Sequence, residues 1–110
     1  MEGYFVVMTT ASGVDEAAAI AKAVVDEGLA ACCNIVSGVR SIYRWKGEIC
    51  DEAEVLCVMK TRGGLVEELT ARIRELHGYE VPEVVALEIA SGNGDYLRWI
   101  DECTSRTGLA

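Results

Sequence analysis

The sequence predicts an α+β fold of the ferredoxin-like class, a split βαβ arrangement (βαββαβ plus a C-terminal helix) with an antiparallel sheet. Three observations predict it. Strand-like and helix-like hydrophobic periods alternate along the chain, two long strand-like runs flank one tight-turn signal, and the length of 110 residues suits one domain. We therefore expect residues 1–110 to form a single domain with both main helices on one face of the sheet.

The first strand and the first helix are predicted close to the N-terminus. The run Tyr4–Thr10 is rich in aromatic and β-branched residues, which favours a strand. From Asp15 onward, apolar residues recur at three- and four-residue spacing, which predicts an amphipathic helix. Asp15 carries the charge that a helix N-terminus favours, and Gly28 is placed for the left-handed C-terminal cap.

A long β-hairpin is predicted in the middle of the chain. Its arms run from Ala31 to about Trp45, with an interruption at Ser37-Gly38, and from Glu48 to Thr61, and Lys46-Gly47 forms the turn. Arms of about 14 residues at ~3.3 Å each would reach roughly 50 Å. A domain of this size is only roughly 35 Å across, so we expect the hairpin to bend or to project.

The remaining elements complete the ferredoxin-like order. Gly63-Gly64 precedes a second helix with an apolar stripe from Leu65 to Leu76, and we expect Gly78 to end it. The run Val84–Ile89 predicts a short strand, and Asp95 is the expected N-cap of a last helix.

Self-association is predicted from the run Val55–Met59, which is apolar on both strand faces. The two main helices cover one face, so the other is covered either by another subunit or by the terminal helix folding back. We favour another subunit, because a projecting hairpin edge also pairs across subunits. Tyr43, Trp45 and Trp99 are the expected interface anchors, with ligand stacking as the alternative role of the first two.

Charge and composition exclude several partners. Ten Lys+Arg against 18 Asp+Glu give a formal charge of −8. An acidic surface repels phosphate backbones, so we expect no nucleic acid partner. No apolar run approaches the ~20 residues of a membrane helix, so we expect no membrane partner. The acidic first residues and the odd number of cysteines, five, favour reduced thiols and a cytoplasmic location.

We also predict that the protein is not an enzyme. The sequence contains no G-x-S-x-G, H-E-x-x-H or P-loop motif. Acylphosphatases share the predicted fold and length, but they carry a glycine-rich loop with an arginine between the first strand and the first helix. The corresponding segment here, Thr10–Val14, contains no arginine.

Five segments carry specific motifs, among them a Y-x-W-x-G hairpin tip and an L-H-x-Y-x-x-P-E stretch. The segments are Leu29–Ile35, Ser41–Ile49, Lys60-Thr61, Leu76–Glu83 and Asp95–Ile100. With these segments in this order, the chain from about Val6 to about Arg106 resembles the CutA divalent-cation tolerance family. The resemblance implies a ferredoxin-like subunit in a tight homotrimer, akin to PII signalling proteins, and a link to the tolerance of copper and other divalent metals.

The resemblance also bears on a metal site. Some bacterial members are proposed to bind copper through a cysteine at the end of the first strand and two consecutive histidines closing the second helix. The matching positions here are Thr9, Leu76 and His77, so only His77 has a side chain that copper prefers. We therefore expect no required cofactor, with Cu²⁺ or another divalent cation bound weakly through His77. In the alternative, His77 is a cation that favours the helix C-terminus.

Two further sets of polar residues are candidates. Lys60, Tyr79 and Glu80 are expected to flank His77 at an inter-subunit cleft, where they hold an anionic small molecule or form a solvated polar rim. An acidic face is expected to collect hard divalent ions loosely, without a defined calcium site. Its members are Asp15, Glu16, Asp26, Glu27, Asp51, Glu52 and Glu54.

Two function classes follow. The first is a non-enzymatic homotrimer for divalent metal ion tolerance and response, copper included, with weak metal binding. The second is a PII-like regulatory or scaffold trimer that binds a small metabolite or a partner protein at inter-subunit clefts.

Overall fold

A computed structural model describes residues 1–104, and its elements follow the predicted order. The strands are β1 (Tyr4–Ala11), β2 (Cys32–Trp45), β3 (Glu48–Arg62) and β4 (Val85–Glu88). The helices are α1 (Val14–Asp26), α2 (Val66–Leu76), which follows a 3-10 turn at Gly63–Leu65, and α3 (Gly94–Thr104). Within residues 1–104, no helix is long and apolar enough to span a bilayer.

The four strands form one sheet in the order β2-β3-β1-β4, and every neighbouring pair is antiparallel. β1 is central, so that Met8 lies opposite Val58 on β3 and Val85 on β4. The long β2 and the short β4 are the two edges. This is the ferredoxin-like arrangement that the hydrophobic pattern predicts.

The first face of the sheet, defined by Val7, Cys57 and Met59, carries the main core. These three side chains are fully buried, and Ile20 of α1 and Ile73 of α2 are buried in the same cluster. Strand alternation puts every second residue of β1 on this face, which explains its strictly alternating burial. The prediction that both main helices cover one face is therefore confirmed.

The second face, defined by Tyr4, Arg62, Val36, Val85 and Leu87, is only partly covered. α3 crosses one end of it, where the Tyr4 hydroxyl donates to Asp101 at 2.5 Å and the Arg62 guanidinium donates to the Thr104 carbonyl at 3.0 Å. The alternative in which the terminal helix folds back is thus correct at this end. Farther along, Val36, Val85 and Leu87 remain 45%, 43% and 54% exposed.

The hairpin of β2 and β3 projects as predicted and gives the molecule a long axis of 44 Å against 29 and 23 Å. Lys46 and Gly47 both have positive φ, 49° and 83°, which is the geometry of a type I′ turn. The predicted interruption is a bulge between Val36 and Val39, where Gly38 has a φ of 81°. The hairpin therefore both bends and extends beyond the layer of α1 and α2.

Helix ends agree with the sequence at α1 and differ at α2. Gly28 has a φ of 70°, and the next amide, of Leu29, donates to the Val24 carbonyl at 2.9 Å, as in a Schellman cap. α2 ends at Leu76 with His77 as its C-cap, so Gly78 follows the helix end as expected, but its φ is not positive and it forms no left-handed cap. Gly78 is instead pressed against Glu16: a Cβ on it would lie 2.8 Å from a carboxylate oxygen.

The start of α3 also differs from the prediction by two residues. The side-chain oxygen of Asn93 accepts the backbone N–H of Asp95 at 3.0 Å, and the Asn93 carbonyl accepts the N–H of Leu97. Asn93 is therefore the N-cap, and Asp95 lies in the first turn, where its charge still favours the helix dipole.

Candidate functional site

A cleft of about 650 Å³ opens beside the second face, between the hairpin and the loop that follows α2. β1, β2 and β3 supply one wall and the loop supplies the other. The lining residues are Thr10, Ser41, Ile42, Tyr43, Trp45, Glu54, Gly78, Tyr79, Glu80, Val81 and Glu83. A volume of this size is typical of small-molecule sites rather than of sites for a single ion.

A buried carboxylate lies in the wall of the cleft. Glu54 is only 7% exposed, and the Tyr79 hydroxyl donates to its Oε2 at 2.6 Å. Burial raises the pKa of the Tyr79 phenol, and the hydrogen bond to Glu54 raises it further, so the phenol remains a donor at neutral pH. β3 places Glu54 here because the next residue, Val55, faces the helices.

His77 lies behind the cleft with its side chain fully buried. Its Nε2 is 2.7 Å from the Thr10 carbonyl, and the backbone N–H of Tyr79 donates to its Nδ1 at 3.1 Å. Both ring nitrogens are therefore occupied by partners within the chain, and the Glu16 carboxylate lies 3.9 Å from Nδ1. The helix-end cation and metal ligation by His77 both stay predictions, and ligation requires one of these hydrogen bonds to break.

Glu16 of α1 fastens the loop to the helix layer. Its carboxylate accepts the backbone N–H and the hydroxyl of Ser12, both at 3.0 Å, and the N–H of Gly78 at 2.8 Å. Burial alone would raise the pKa of Glu16, but these hydrogen bonds outweigh it and hold the pKa below its ordinary value. The sequence suggested that Glu16 and Glu54 belong to one acidic face. In the structure, the carboxylates of both residues instead accept hydrogen bonds within the chain.

The charge of the cleft is negative. Its lining includes Glu54, Glu80 and Glu83 and no lysine, arginine or histidine. The Lys46 ammonium lies 3.9 Å from the Glu80 carboxylate, and both side chains are mostly exposed. The anionic ligand that the sequence suggested is a poor match for this lining.

Lys60 lies apart from Tyr79 and Glu80 within one chain. It is six residues along β3 from Glu54, roughly 20 Å away. Its ammonium donates to the side-chain oxygen of Asn34 at 2.5 Å. The structure therefore brings Tyr79 and Glu80 together in one cleft and leaves Lys60 outside it.

The three aromatic residues expected at an interface are divided between two places. Tyr43 and Trp45 line the cleft and are 37% and 39% exposed, while Trp99 is 39% exposed on α3. The Trp99 ring lies 5.4 Å from that of Tyr96. Half-exposed aromatic rings suit a contact surface, and their burial between subunits stays a prediction.

The described residues do not fit a resident metal. Across residues 1–104, no three or more His, Cys, Asp or Glu side chains are grouped so that they could hold an ion. All five cysteines are free, and Cys57 is buried in the core. Copper and zinc sites need several nitrogen or sulfur donors, so one chain provides no complete site within this range.

Comparison with known proteins agrees with the fold. A family model, the CutA1 divalent ion tolerance protein, matches residues 5–103. The divalent-cation tolerance protein CutA of Thermus thermophilus is 50% identical over 99 residues, which are 90% of this chain and 96% of that protein. Protein CutA of Mus musculus is 48% identical over 94 residues, which are 83% of this chain but only 53% of the mouse protein.

A solved structure agrees at the level of the backbone. The divalent cation tolerance protein (Cut A1) of Thermus thermophilus superposes with a TM-score of 0.90 at 48% identity, and the match covers 93% of this chain and 99% of that one. The family match extends from β1 into α3 and includes both the hairpin and the loop of the cleft. The chain therefore belongs to the CutA1 divalent ion tolerance family.

Proposed function

We propose that this protein acts in the tolerance of divalent cations, copper among them, as a non-enzymatic homotrimer in the cytoplasm. Its relatives are named divalent-cation tolerance proteins. Five free cysteines suit a reducing compartment. The observation that carries the proposal is the uncovered part of the second face, which gives the chain a surface for its own copies.

The apolar area left exposed by one chain supports the homotrimer. Val36, Val85 and Leu87 are exposed on the second face, and Ile42 and Ile49, on the other side of the projecting hairpin, are 65% and 62% exposed. Soluble proteins rarely expose this much apolar surface unless a partner covers it. Copies related by a closed rotation, with each hairpin reaching across its neighbour, bury this surface without leaving an open edge.

We propose further that metal ions bind to this assembly only weakly. The imidazole of His77 is already hydrogen-bonded at both nitrogens, and no three donors converge within residues 1–104. His77 is the candidate ligand, and it needs donors from a neighbouring subunit to complete a site.

Copper titration tests this part of the proposal. Calorimetric titration of the purified assembly with Cu²⁺ should give weak binding, and His77→Gln should abolish it. Glu67→Gln, an exposed carboxylate on α2, is the matched control and should bind as the wild type does. Equal weak binding by wild type and His77→Gln would remove His77 as a ligand. Tight, stoichiometric copper would overturn the proposal of low affinity.

The size of the cleft favours a second candidate function, a PII-like regulatory trimer that binds a small metabolite. A volume of about 650 Å³ is far larger than one ion needs. A ligand that binds the folded state raises the melting temperature. Metal-free protein whose melting temperature responds to a metabolite panel would support this candidate, and indifference to every compound would remove it.

A further inference from the structure

Glu54 in the wall of the cleft has hydrogen-bond acceptor capacity that the described residues do not use. A carboxylate has about four acceptor positions. Glu54 is 7% exposed, and the only hydrogen bond that reaches it among the described residues comes from the Tyr79 hydroxyl on Oε2. Oε1 accepts no hydrogen bond from the described residues, yet it keeps access to solvent, since the buried polar atoms without a partner in residues 1–104 are Thr9 Oγ1 and Arg62 Nε. The group that satisfies Oε1 best is a positively charged hydrogen-bond donor.

The other side chains of the cleft favour a cation of the same kind. Glu80 and Glu83 add two carboxylates to the lining, and no basic side chain stands among the lining residues. Tyr43 and Trp45 add aromatic rings, whose faces attract cations. The whole chain carries a formal charge of −8, which raises the local concentration of cations still further.

The geometry distinguishes an organic cation from a metal ion. A divalent metal needs several oxygen, nitrogen or sulfur atoms at about 2.0–2.6 Å around one point. Within residues 1–104, no three acidic, cysteine or histidine side chains converge in this way. The ammonium group of a small molecule needs fewer contacts, and the remainder of about 650 Å³ is available for its body.

We propose that the cleft binds an organic cation, a primary ammonium group carried on an aromatic or apolar body. The ammonium donates to Oε1 of Glu54, and the body lies against Tyr43 and Trp45, which take the ligand-stacking role here rather than that of interface anchors. Glu80 at the rim attracts the cation without contacting its ammonium. The inference rests on the second candidate function, in which the cleft holds a small molecule, and it specifies the charge and class of that molecule.

Three probes of nearly equal size separate charge from shape. They are 2-phenylethylamine, which is a cation at neutral pH, 2-phenylethanol, which is neutral, and 3-phenylpropionate, which is an anion. Each is titrated calorimetrically into the metal-free assembly. We expect binding of the amine, at least tenfold weaker binding of the alcohol, because a charged hydrogen bond is lost, and no binding of the carboxylate.

Two variants locate the binding. Glu54→Gln keeps the volume and an acceptor for Tyr79 but removes the charge, and we expect the affinity for the amine to fall roughly tenfold or more. Glu80→Gln, an exposed position, should weaken binding by about twofold. Glu67→Gln on α2 is the matched control and should leave it unchanged. Circular dichroism shows whether each variant is folded. If Glu54→Gln does not fold, the affinity of Glu80→Gln for the amine still tests whether the negative charge of the cleft attracts the cation.

The outcomes separate this inference from the proposal on which it rests. Equal binding of all three probes, or binding of the amine that Glu54→Gln does not change, would overturn the cationic ligand and leave the cleft as a ligand site. No binding of any probe is the result expected if a basic side chain of a second copy already contacts Glu54, and it would overturn the inference. Indifference to the metabolite panel as well would remove the cleft as a ligand site.

Discussion

The two faces of the sheet are built from the same four strands and differ in what covers them. On the first face, Val7, Cys57 and Met59 are fully buried beneath α1 and α2. On the second, α3 covers one end, and Val36 and Leu87 remain about half exposed. The first face therefore holds one chain together, whereas the second can be buried only by something outside that chain. Successive side chains of a strand point to opposite faces. The residues that stabilise one chain and the residues that are available to other copies therefore lie on opposite sides of the same strands.

Substitution of leucine on each face tests this division, and the largest effect is expected on the first. Leu69 of α2 is fully buried, so Leu69→Ala should lower the free energy of unfolding by about 2–5 kcal/mol through lost burial and a residual cavity. Urea denaturation measures it. Leu87→Ala removes the same atoms from the second face, and at low protein concentration it should lower the free energy much less. Equal losses at both positions would contradict the comparison.

The hydroxyl of Tyr79 should have the next largest effect, because it supports the part of the second face that forms the cleft. Tyr79→Phe leaves Glu54 buried without its donor, which should lower the free energy of unfolding by about 1–3 kcal/mol. Tyr43→Phe, at a half-exposed ring in the same cleft, is the control and should change it by less than about 1 kcal/mol. Indistinguishable urea midpoints for the two variants would mean that the Tyr79–Glu54 contact adds nothing.

Glu16 joins the helix layer of the first face to the loop of the cleft, and its effect should depend on pH. The pKa of Glu16 is lowered in the folded state, so the unfolded chain binds more protons as the pH falls. The stability from Glu16 is therefore present above its ordinary pKa of 4.5 and is lost as the pH falls through the lower folded value.

The measurement is urea unfolding between about pH 6 and pH 3. Wild type should lose stability from about pH 5 downward, and Glu16→Gln should lose less over the same interval. Asp15→Asn, an exposed neighbour in the same helical turn, should follow the wild type. If Glu16→Gln has the same pH dependence as wild type, the hydrogen bonds to Ser12 and Gly78 do not stabilise the folded state.

The element order was predictable because its signals are local. Lys46-Gly47 marks the hairpin turn and Gly28 marks the end of α1, and both glycines have the positive φ that glycine tolerates best. The N-cap of α3 was misplaced, since Asn93 and Asp95 are equally good cap residues two positions apart. Local composition cannot decide between them.

The candidate site was less predictable, because it depends on distant contacts. Glu54 follows Asp51 and Glu52 and was therefore expected in solvent, yet its burial depends on Tyr79, 25 residues away. Strand alternation puts Glu54 on the face away from the helices, which is only partly covered, so alternation marks its side of the sheet but not its burial. The environment of His77 depends on a contact with Thr10 across 67 positions, which no local pattern predicts.

The central claim is that copies of this chain cover the second face, and the particle mass tests it most directly. Multi-angle light scattering of wild-type protein at micromolar concentration should give about three times the 11.9 kDa of one chain. Leu87→Lys, which places a charge on the second face, should reduce that mass while the circular dichroism spectrum is retained. A wild-type particle with the mass of a single chain would contradict the account.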